Sequence, residues 1–257
     1  MKIVVIGGTG LIGARLVKKL GEQGHEALAA SPSRGIDAFT GKGLAEALKG
    51  AQVVVDTSNA PSWEATAVMQ FFQTSTRNLL EAEVAACVRH HVALSVVGAE
   101  RMPGNTYMPA KLAQESAIQS GPIPYTIVRA TQFFEFVGAI ADSGTVDGTV
   151  RLPPIQFQPI AADDIASILA RIAVAAPLKT TIEIAGPERK PMEQFVRHLF
   201  AAKKDQRPIV TDPNALYFAA KVDDQSLVPI NQPQLGKVRF EDWLALNIAS
   251  PAYAVPN

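Results

Sequence analysis

A short apolar run followed by three spaced glycines opens the chain and constrains its fold more than any other segment. Residues 3–6 form a run rich in β-branched side chains, which is typical of a buried parallel strand. Gly7, Gly10 and Gly13 follow, and apolar residues then recur every four positions as far as Leu20, as on a helix with one apolar face. Strand, glycine turn and helix in this order are the context in which such a triad binds a dinucleotide.

Each glycine of the triad has its own expected task. Gly7 lets the chain turn tightly, Gly10 lets the backbone approach a pyrophosphate, and Gly13 lets the helix pack close to the strand. Free N–H groups and the partial positive charge at the helix N-terminus favour phosphate binding. The alternative is a glycine-rich turn without a ligand. The predicted phosphate-binding residues are Gly7, Thr9, Gly10, Leu11, Ile12 and Gly13.

Strands and helices alternate along the chain, which predicts the α/β class and a Rossmann-like, doubly wound parallel sheet. Apolar runs bounded by turn residues predict strands at 3–6, 25–30, 52–56, 92–97, 125–128 and 180–185, with a short one at 36–40. Helical periodicity predicts helices at 11–23, 44–49, 64–90, 106–119, 162–173, 192–203 and 240–244.

The regular alternation weakens after about residue 130, where residues 152–159 are proline-rich and extended or looped. A chain of 257 residues is long enough for one large α/β domain. We therefore expect a single NAD(P)-binding domain over residues 1–257, in which residues 150–257 contribute a small substrate-binding lobe.

Composition excludes several classes of function. The chain has 24 basic and 24 acidic residues and no block of like charge, so neither nucleic acid nor an anionic membrane is an expected partner. No apolar run approaches a membrane span, and because the sequence opens in a predicted strand, no signal peptide is expected. The only cysteine, Cys87, fits a reducing compartment and is expected to be buried in a helix.

These features predict a cytoplasmic protein whose partner is a small-molecule substrate, while its oligomeric state is left open. The adjacent His90 and His91 point in different directions on a helix and make a poor metal pair. With a single cysteine and scattered histidines, no metal site is predicted.

The segment after the second strand predicts which dinucleotide binds. NAD-specific sites usually place an acidic residue at the end of this strand, to bind the ribose 2′-hydroxyl. The chain has no acid there, but has Ser31, Ser33 and Arg34, and Asp37 follows only later. Two hydroxyls and a guanidinium suit a 2′-phosphate, so NADP is predicted in preference to NAD. The alternative is a solvated arginine in a polar loop.

A tyrosine and a lysine four residues apart form the candidate catalytic pair. Tyr107 and Lys111 lie on one face if residues 106–119 are helical. A nearby ammonium favours the phenolate and lowers the pKa of the tyrosine. Tyr107 could then exchange a proton with a substrate oxygen while a hydride moves at the nicotinamide.

Four segments together carry a resemblance to a known family: the glycine turn, the helix of residues 76–82, the Tyr107/Lys111 pair, and the strand of residues 124–129 with Gln132-Phe133-Phe134 after it. Over roughly residues 1–200 the chain resembles the short-chain dehydrogenase/reductase superfamily, in its atypical, extended, NmrA-like branch. The resemblance implies a Rossmann fold, NAD(P) binding and a catalytic Ser, Tyr and Lys.

The resemblance also implies residue roles. Tyr107 and Lys111 match its Tyr-x-x-x-Lys element, and Ser95 is the best counterpart of the serine. Lys111 would also hold the nicotinamide ribose, and Arg129 and Thr131 end a strand where the superfamily meets the nicotinamide. Thr57, Ser58 and Asn59 follow a buried strand, at the sheet edge where ligands bind, and are expected either to line the adenine-ribose side of the cofactor or to cap the loop.

The function so implied is an NADP-preferring oxidoreductase that transfers a hydride between the nicotinamide and a small carbonyl or alcohol. Two alternatives remain open. The first is a non-enzymatic, NADP-binding regulatory protein of the NmrA-like type, and the second, weaker one is a sugar-type epimerase or isomerase.

Overall fold

A computed structural model of the chain describes residues 1–247 and shows an α/β fold around a seven-stranded parallel sheet. Its strands are β1 (Lys2–Ile6), β2 (Glu26–Ala30), β3 (Val53–Asp56), β4 (His90–Val96), β5 (Tyr125–Ala130), β9 (Thr180–Ala185) and β12 (Gln234–Leu235). The order of the strands across the sheet is β12-β9-β5-β4-β3-β1-β2. The predicted Rossmann-like, doubly wound sheet is confirmed.

Helices cover both faces of this sheet. The helices are α1 (Leu11–Glu22), α2 (Leu44–Leu48), α3 (Ala65–Ala85), α4 (Met108–Ser120), α5 (Val137–Ser143), α6 (Ala162–Val174), α7 (Met192–Lys203) and α8 (Phe240–Asn247). Among residues 1–247, no helix is both long enough and apolar enough to cross a bilayer.

The side chains of β1 alternate between the two faces of the sheet, which explains why helices pack on both faces. Ile3 and Val5 pack with α1 and α6, whereas Val4 and Ile6 pack on the other face with α2 and α3. Because side chains of a strand alternate between faces, a run buried on both sides must be continuously apolar. Ile6 pairs in register with Ala30 on β2 and Asp56 on β3, so these three strands end together at one edge.

The C-terminal part adds small sheets beside the main one. Antiparallel β8 (Gln156–Phe157) and β10 (Lys190–Pro191) form one, and β6 (Thr145–Val146), β7 (Thr149–Leu152) and β11 (Ile209–Thr211) form the other. Phe134, which follows β5, packs in their core against Phe240 and Trp243 of α8. A substrate-binding role for this part stays a prediction, and residues 248–257 lie outside the described chain.

The strand predicted at 36–40 is wrong. The Asp37 carboxylate accepts the Phe39 N–H at 2.9 Å, and the Asn78 amide of α3 donates to the carbonyls of Ala38 and Phe39. Side chains therefore satisfy this segment's backbone, and it lies outside the sheet as turns.

The helix predicted at 64–90 ends earlier, at Ala85. Cys87 adopts a left-handed conformation with φ +55° and is exposed, so its predicted burial in a helix is wrong. The two histidines begin β4 and point to opposite faces: His91 Nδ1 lies 2.8 Å from Glu83 Oε1, and His90 Nε2 lies 2.9 Å from Thr126 Oγ1.

Candidate functional site

Two of the three glycines in the triad are required by close backbone packing. Gly7 has φ +73°, and a Cβ there would lie 2.8 Å from the carbonyl oxygen of Thr57. A Cβ on Gly13 would lie 2.2 Å from the carbonyl oxygen of Gly7. The intervening Gly8 is equally constrained, because its Cβ would lie 2.6 Å from Ala29 Cα on β2. Gly8 is thus a fourth constrained glycine, beyond the three that the spacing predicted.

Gly10 differs because it faces open space. It is exposed, its φ of −80° is ordinary, and an added Cβ would meet only the Gly7 carbonyl oxygen, at 3.3 Å. It caps α1 without a side-chain hydrogen bond, and the first turn of α1 has no acidic residue. The first N–H groups of a helix have no partner within it, so this end of α1 fits a pyrophosphate. Thr9 is exposed beside it, whereas Leu11 is half-buried and Ile12 belongs to the core.

The segment after β2 presents the residues predicted to select NADP. Ser31 Oγ and Ser33 Oγ lie 2.9 Å apart, with Ser31 buried and Ser33 exposed. The Arg34 N–H donates to the Ser31 carbonyl oxygen at 2.9 Å, which closes a tight turn. Arg34 is exposed and forms no ion pair with residues 1–247. Its guanidinium is therefore free to pair with an anion at this edge.

The loop after β3 meets the glycine turn directly. Thr57 Oγ1 donates to the Ile6 carbonyl oxygen at 2.9 Å, and the Ser58 N–H donates to Asp56 Oδ1 at 2.8 Å. Asn59 is exposed. The Ser58 Oγ atom and, after β5, the Thr131 Oγ1 atom are buried without a hydrogen-bond partner in residues 1–247. Buried hydroxyls ordinarily have a partner, so both atoms fit a polar ligand along this edge.

Tyr107 and Lys111 come together around one aromatic ring. Tyr107 directly precedes α4, and its carbonyl oxygen accepts the Lys111 N–H at 3.2 Å, which places the two residues one turn apart. The Tyr107 ring packs edge-on against Phe72 of α3, with centroids 5.5 Å apart. The Lys111 ammonium lies 4.4 Å from the centroid of the same ring. Asn105 positions the start of the helix, since its Oδ1 accepts the N–H groups of Tyr107 and Met108.

The Lys111 ammonium is buried and held by the protein. Only 2% of the residue is exposed, and Nζ donates to the Leu94 carbonyl oxygen at 2.9 Å and to Gln114 Oε1. The Gln114 amide in turn donates to Asp56 Oδ2 at 2.9 Å. Burial lowers the pKa of Lys111 to about 8, against the opposing effect of the Asp56 and Glu115 charges.

The phenol of Tyr107 departs from the expected electrostatics. Burial raises its pKa above the ordinary value, and the negative charge of Asp56 raises it further. The predicted lowering by Lys111 is therefore not found, because the ammonium is turned toward Leu94 and Gln114. Tyr107 therefore holds its proton more tightly than an unperturbed tyrosine does.

Ser95 and Arg129 are engaged elsewhere. Ser95 Oγ donates to Glu115 Oε1 at 2.5 Å, on the face of β4 that α4 covers. Arg129 binds both carboxylate oxygens of Glu115, at 2.9 and 2.7 Å, and reaches Glu100 at 2.7 Å. The structure thus joins these residues in a polar cluster around Glu115, which is partly exposed at Glu100. Their assigned roles toward substrate and cofactor stay predictions.

The sequence analysis missed several residues that shape the site. Gln114 and Glu115 stand three and four positions after Lys111, so helical spacing already placed them on its face. Asp56 ends a buried strand at the ligand-binding edge, which was also a readable signal. Nothing in the local sequence placed Phe72 or Trp63 against Tyr107.

The glycine turn, the uncapped end of α1 and the polar edge after β3 match what a dinucleotide site requires. Residues 7–176 match the family described as NAD(P)H-binding. The chain belongs to this family. Its fold is like that of short-chain dehydrogenase/reductase proteins, as the sequence led us to expect, while membership of the atypical, extended, NmrA-like branch stays a prediction.

One curated relative is described as an assembly factor. The photosystem II assembly factor Ycf39 of Synechocystis sp. is 24% identical over 176 residues, which are 61% of this chain and 54% of the relative. The chain thus spans about half the length of the curated relative it matches.

Solved structures share nearly the whole fold. UDP-glucose 4-epimerase from Thermus thermophilus, in complex with NAD, has a TM-score of 0.72 at 16% identity, with 97% of this chain and 98% of that chain covered. The Thermotoga maritima UDP-glucose 4-epimerase gives 0.75 at 16% identity, with 97% and 98% covered. RMD from Pseudomonas aeruginosa, complexed with NADPH, gives 0.69 at 12% identity, with 97% of this chain and 98% of that chain covered. At these identities the likeness shows the fold alone.

Proposed function

We propose that the chain is an NADP-preferring oxidoreductase that transfers a hydride between the nicotinamide and a small carbonyl or alcohol. The observation that carries the proposal is the pairing of Tyr107 with Lys111 around the Phe72 ring, at the sheet edge that also holds the glycine turn. A superfamily fold alone says little about chemistry, so the argument rests on this pair.

The chain's own residues would handle the proton. When bound, the reduced nicotinamide supplies the hydride. Tyr107, which is protonated at neutral pH, donates its phenolic proton to the substrate oxygen. The Lys111 ammonium adds a positive charge one helical turn away, and Leu94 and Gln114 fix its position.

The preference for NADP rests on the segment after β2. Ser31 and Ser33 supply hydroxyls, and Arg34 supplies an exposed guanidinium without an ion-pair partner in residues 1–247. β2 ends without the acidic residue that would bind a ribose 2′-hydroxyl and repel a 2′-phosphate.

The substitution Tyr107→Phe tests the catalytic assignment. It keeps the ring that packs on Phe72 and removes the proton, so NADPH oxidation with a carbonyl should fall about 10²- to 10⁴-fold. NADPH affinity should hold, because the phenol binds no phosphate. A screen of small aldehydes, ketones and quinones first finds a substrate, and stopped-flow absorbance then follows the rate. Tyr125→Phe, at the opposite end of the sheet, is the matched control.

A specific observation favours the regulatory alternative as a second candidate. The Ser95 hydroxyl donates to Glu115, so it is engaged with a protein carboxylate in place of a substrate oxygen. A distant relationship to an assembly factor is compatible with this alternative. Tight NADPH binding without turnover of any screened carbonyl would favour it. An activity that survives Tyr107→Phe would instead show that the catalytic assignment is wrong.

A further inference from the structure

Trp63 is a large apolar side chain in an unusual position. It lies in the loop between β3 and α3, on the carboxyl edge of the sheet, and 66% of the residue is exposed. An isolated exposed apolar residue needs no explanation in general, but ligands of open parallel sheets bind at this edge. Its surroundings therefore decide what the ring can do.

The backbone that carries Trp63 is fixed on both sides. The Glu64 carboxylate caps α3 by accepting the N–H groups of Thr66 and Ala67, at 3.1 and 2.8 Å, and the Glu64 N–H donates to Ser62 Oγ at 3.1 Å. Thr106 Oγ1, which lies just before α4, donates to the Trp63 carbonyl oxygen at 3.4 Å. The ring therefore projects from an anchored loop.

Three rings form a continuous aromatic wall, which we define as Trp63, Tyr107 and Phe72. The ring centroids of Trp63 and Tyr107 are 5.7 Å apart at 46°, and those of Tyr107 and Phe72 are 5.5 Å apart at 86°. Lys111 Nζ lies against the buried end of the wall, 4.4 Å from the Phe72 centroid. The wall runs from solvent at Trp63, past the phenol, to the buried ammonium.

Lys111, Arg129 and Arg101 already have protein partners, and the exposed Arg34 is the cation assigned above to the 2′-phosphate of the cofactor. Lys111 binds Leu94 and Gln114, and Arg129 binds Glu115 and Glu100. Arg101 binds Glu100 and the Val228 carbonyl oxygen. A substrate with a phosphate group would have to break one of these contacts to be neutralised, whereas an uncharged flat ring would not.

We propose that the aromatic wall binds the flat face of an uncharged, planar aromatic carbonyl compound, which stacks on Trp63 with its oxygen toward the Tyr107 hydroxyl. The inference rests on the proposed oxidoreductase function and names its substrate class. It differs from the ligand of the Thermotoga maritima neighbour, which was solved with UDP-glucose. Aromatic stacking of this kind is worth about a two- to tenfold gain in affinity beyond buried area.

Two unreactive probes of similar size and polarity test the inference. Benzamide is flat and aromatic, whereas cyclohexanecarboxamide carries the same amide on a puckered, saturated ring. Equilibrium dialysis against the full chain saturated with NADP⁺ should show benzamide binding about two- to tenfold more tightly. Trp63→Leu should bring the ratio near one, and Trp63→Phe should retain most of it. Phe218→Leu removes an exposed ring that contacts Tyr217 and serves as the matched control.

A second readout locates the probe. The chain has two tryptophans, so Trp243→Phe leaves Trp63 as the only emitter, and benzamide should quench its fluorescence. Equal affinity for the two amides, no detectable binding of either, or preference retained in Trp63→Leu would each overturn the inference. Loss of a dimer in Trp63→Leu, by light scattering, would also overturn it, because the ring would then serve a protein interface.

The proposed function can fail or hold separately. Unchanged NADPH affinity in Trp63→Leu, with the Tyr107→Phe loss of rate intact, would leave the oxidoreductase standing even when the aromatic preference is absent. Activity that survives Tyr107→Phe would remove the proposed chemistry, whatever the amides do.

Discussion

The two sides of the site are specified in different ways. The glycine turn occupies one local segment, and its backbone geometry follows from which positions tolerate a Cβ. The Tyr107/Lys111 side is assembled from β3, α3, β4 and α4, through contacts such as Gln114 to Asp56, which are 58 residues apart. A local backbone motif can be read directly from sequence. The pKa values of a buried side-chain cluster depend on tertiary contacts that no local pattern contains.

The largest effect is expected from a substitution in the glycine turn, which is the side of the site that a local segment specifies. Gly10→Val puts a branched side chain where the backbone faces open space, and it should abolish binding of NADPH and NADH alike. The backbone angles at this position are ordinary and the one close contact is 3.3 Å, so the protein should still fold. Isothermal titration calorimetry measures binding, and circular dichroism measures the fold.

A second glycine of α1 gives the matched control. Gly21 has no atom within 4 Å of an added Cβ, so Gly21→Val should leave both binding and fold intact. Normal NADPH binding by Gly10→Val would show that the phosphates lie elsewhere, and the glycine-turn interpretation would fail.

A smaller effect is expected from a substitution that tests the preference for NADPH over NADH. Arg34→Ala removes a charge-assisted hydrogen bond of about 1.5–3 kcal/mol to a 2′-phosphate, so NADPH should bind roughly ten- to a hundredfold more weakly. NADH affinity should barely change, because NADH lacks that phosphate. Arg89→Ala, at an exposed arginine before β4, is the control by the same calorimetry. Equal affinity of the unmodified protein for NADH and NADPH would remove the argument for NADP.

The sequence predicted the fold well because its signals are local and periodic. Val4 and its neighbours could only form a strand buried on both faces, and the glycines could only follow as a turn. The errors occurred where a single contact decides the conformation. Asn78 satisfies carbonyls of the segment predicted as a strand, and the left-handed turn at Cys87 stops a helix whose apolar pattern continues.

The sequence could predict which residues form the site, but not which way their side chains face. Spacing paired Tyr107 with Lys111, and the structure brings both to Phe72. The direction in which the Ser95 side chain faces depends on how β4 packs against α4. Glu115 of α4 offers a carboxylate that accepts a hydrogen bond from the Ser95 hydroxyl. The tyrosine's raised pKa follows from burial and from Asp56, neither of which a four-residue spacing reveals.

The smallest expected effect concerns the pKa of Lys111 and the charge of Asp56 that raises it. With the pKa of Lys111 at about 8, the ammonium loses its proton as the pH rises through this value, and kcat/KM for carbonyl reduction should fall there. Asp56→Asn removes the negative charge that raises the pKa of Lys111 most and alters the partner of Gln114. Loss of an opposing charge disfavours the ammonium, so the pKa should drop by roughly one unit and the alkaline limb should move to lower pH. At pH 8 the rate should then fall severalfold.

Other charges near Lys111 remain in the Asp56→Asn variant and limit how far the pKa of Lys111 can fall. Glu115 still favours the ammonium, while His91 lies on β4 close enough for its charge to interact with Lys111. Asp147→Asn, on an exposed turn with φ +48° that asparagine tolerates, is the matched control for removing one carboxylate. An unmoved alkaline limb in Asp56→Asn would mean that Lys111 does not govern the rate. The catalytic side of the site would then depend on Tyr107 alone, and its buried network would serve only to hold α4 against the sheet.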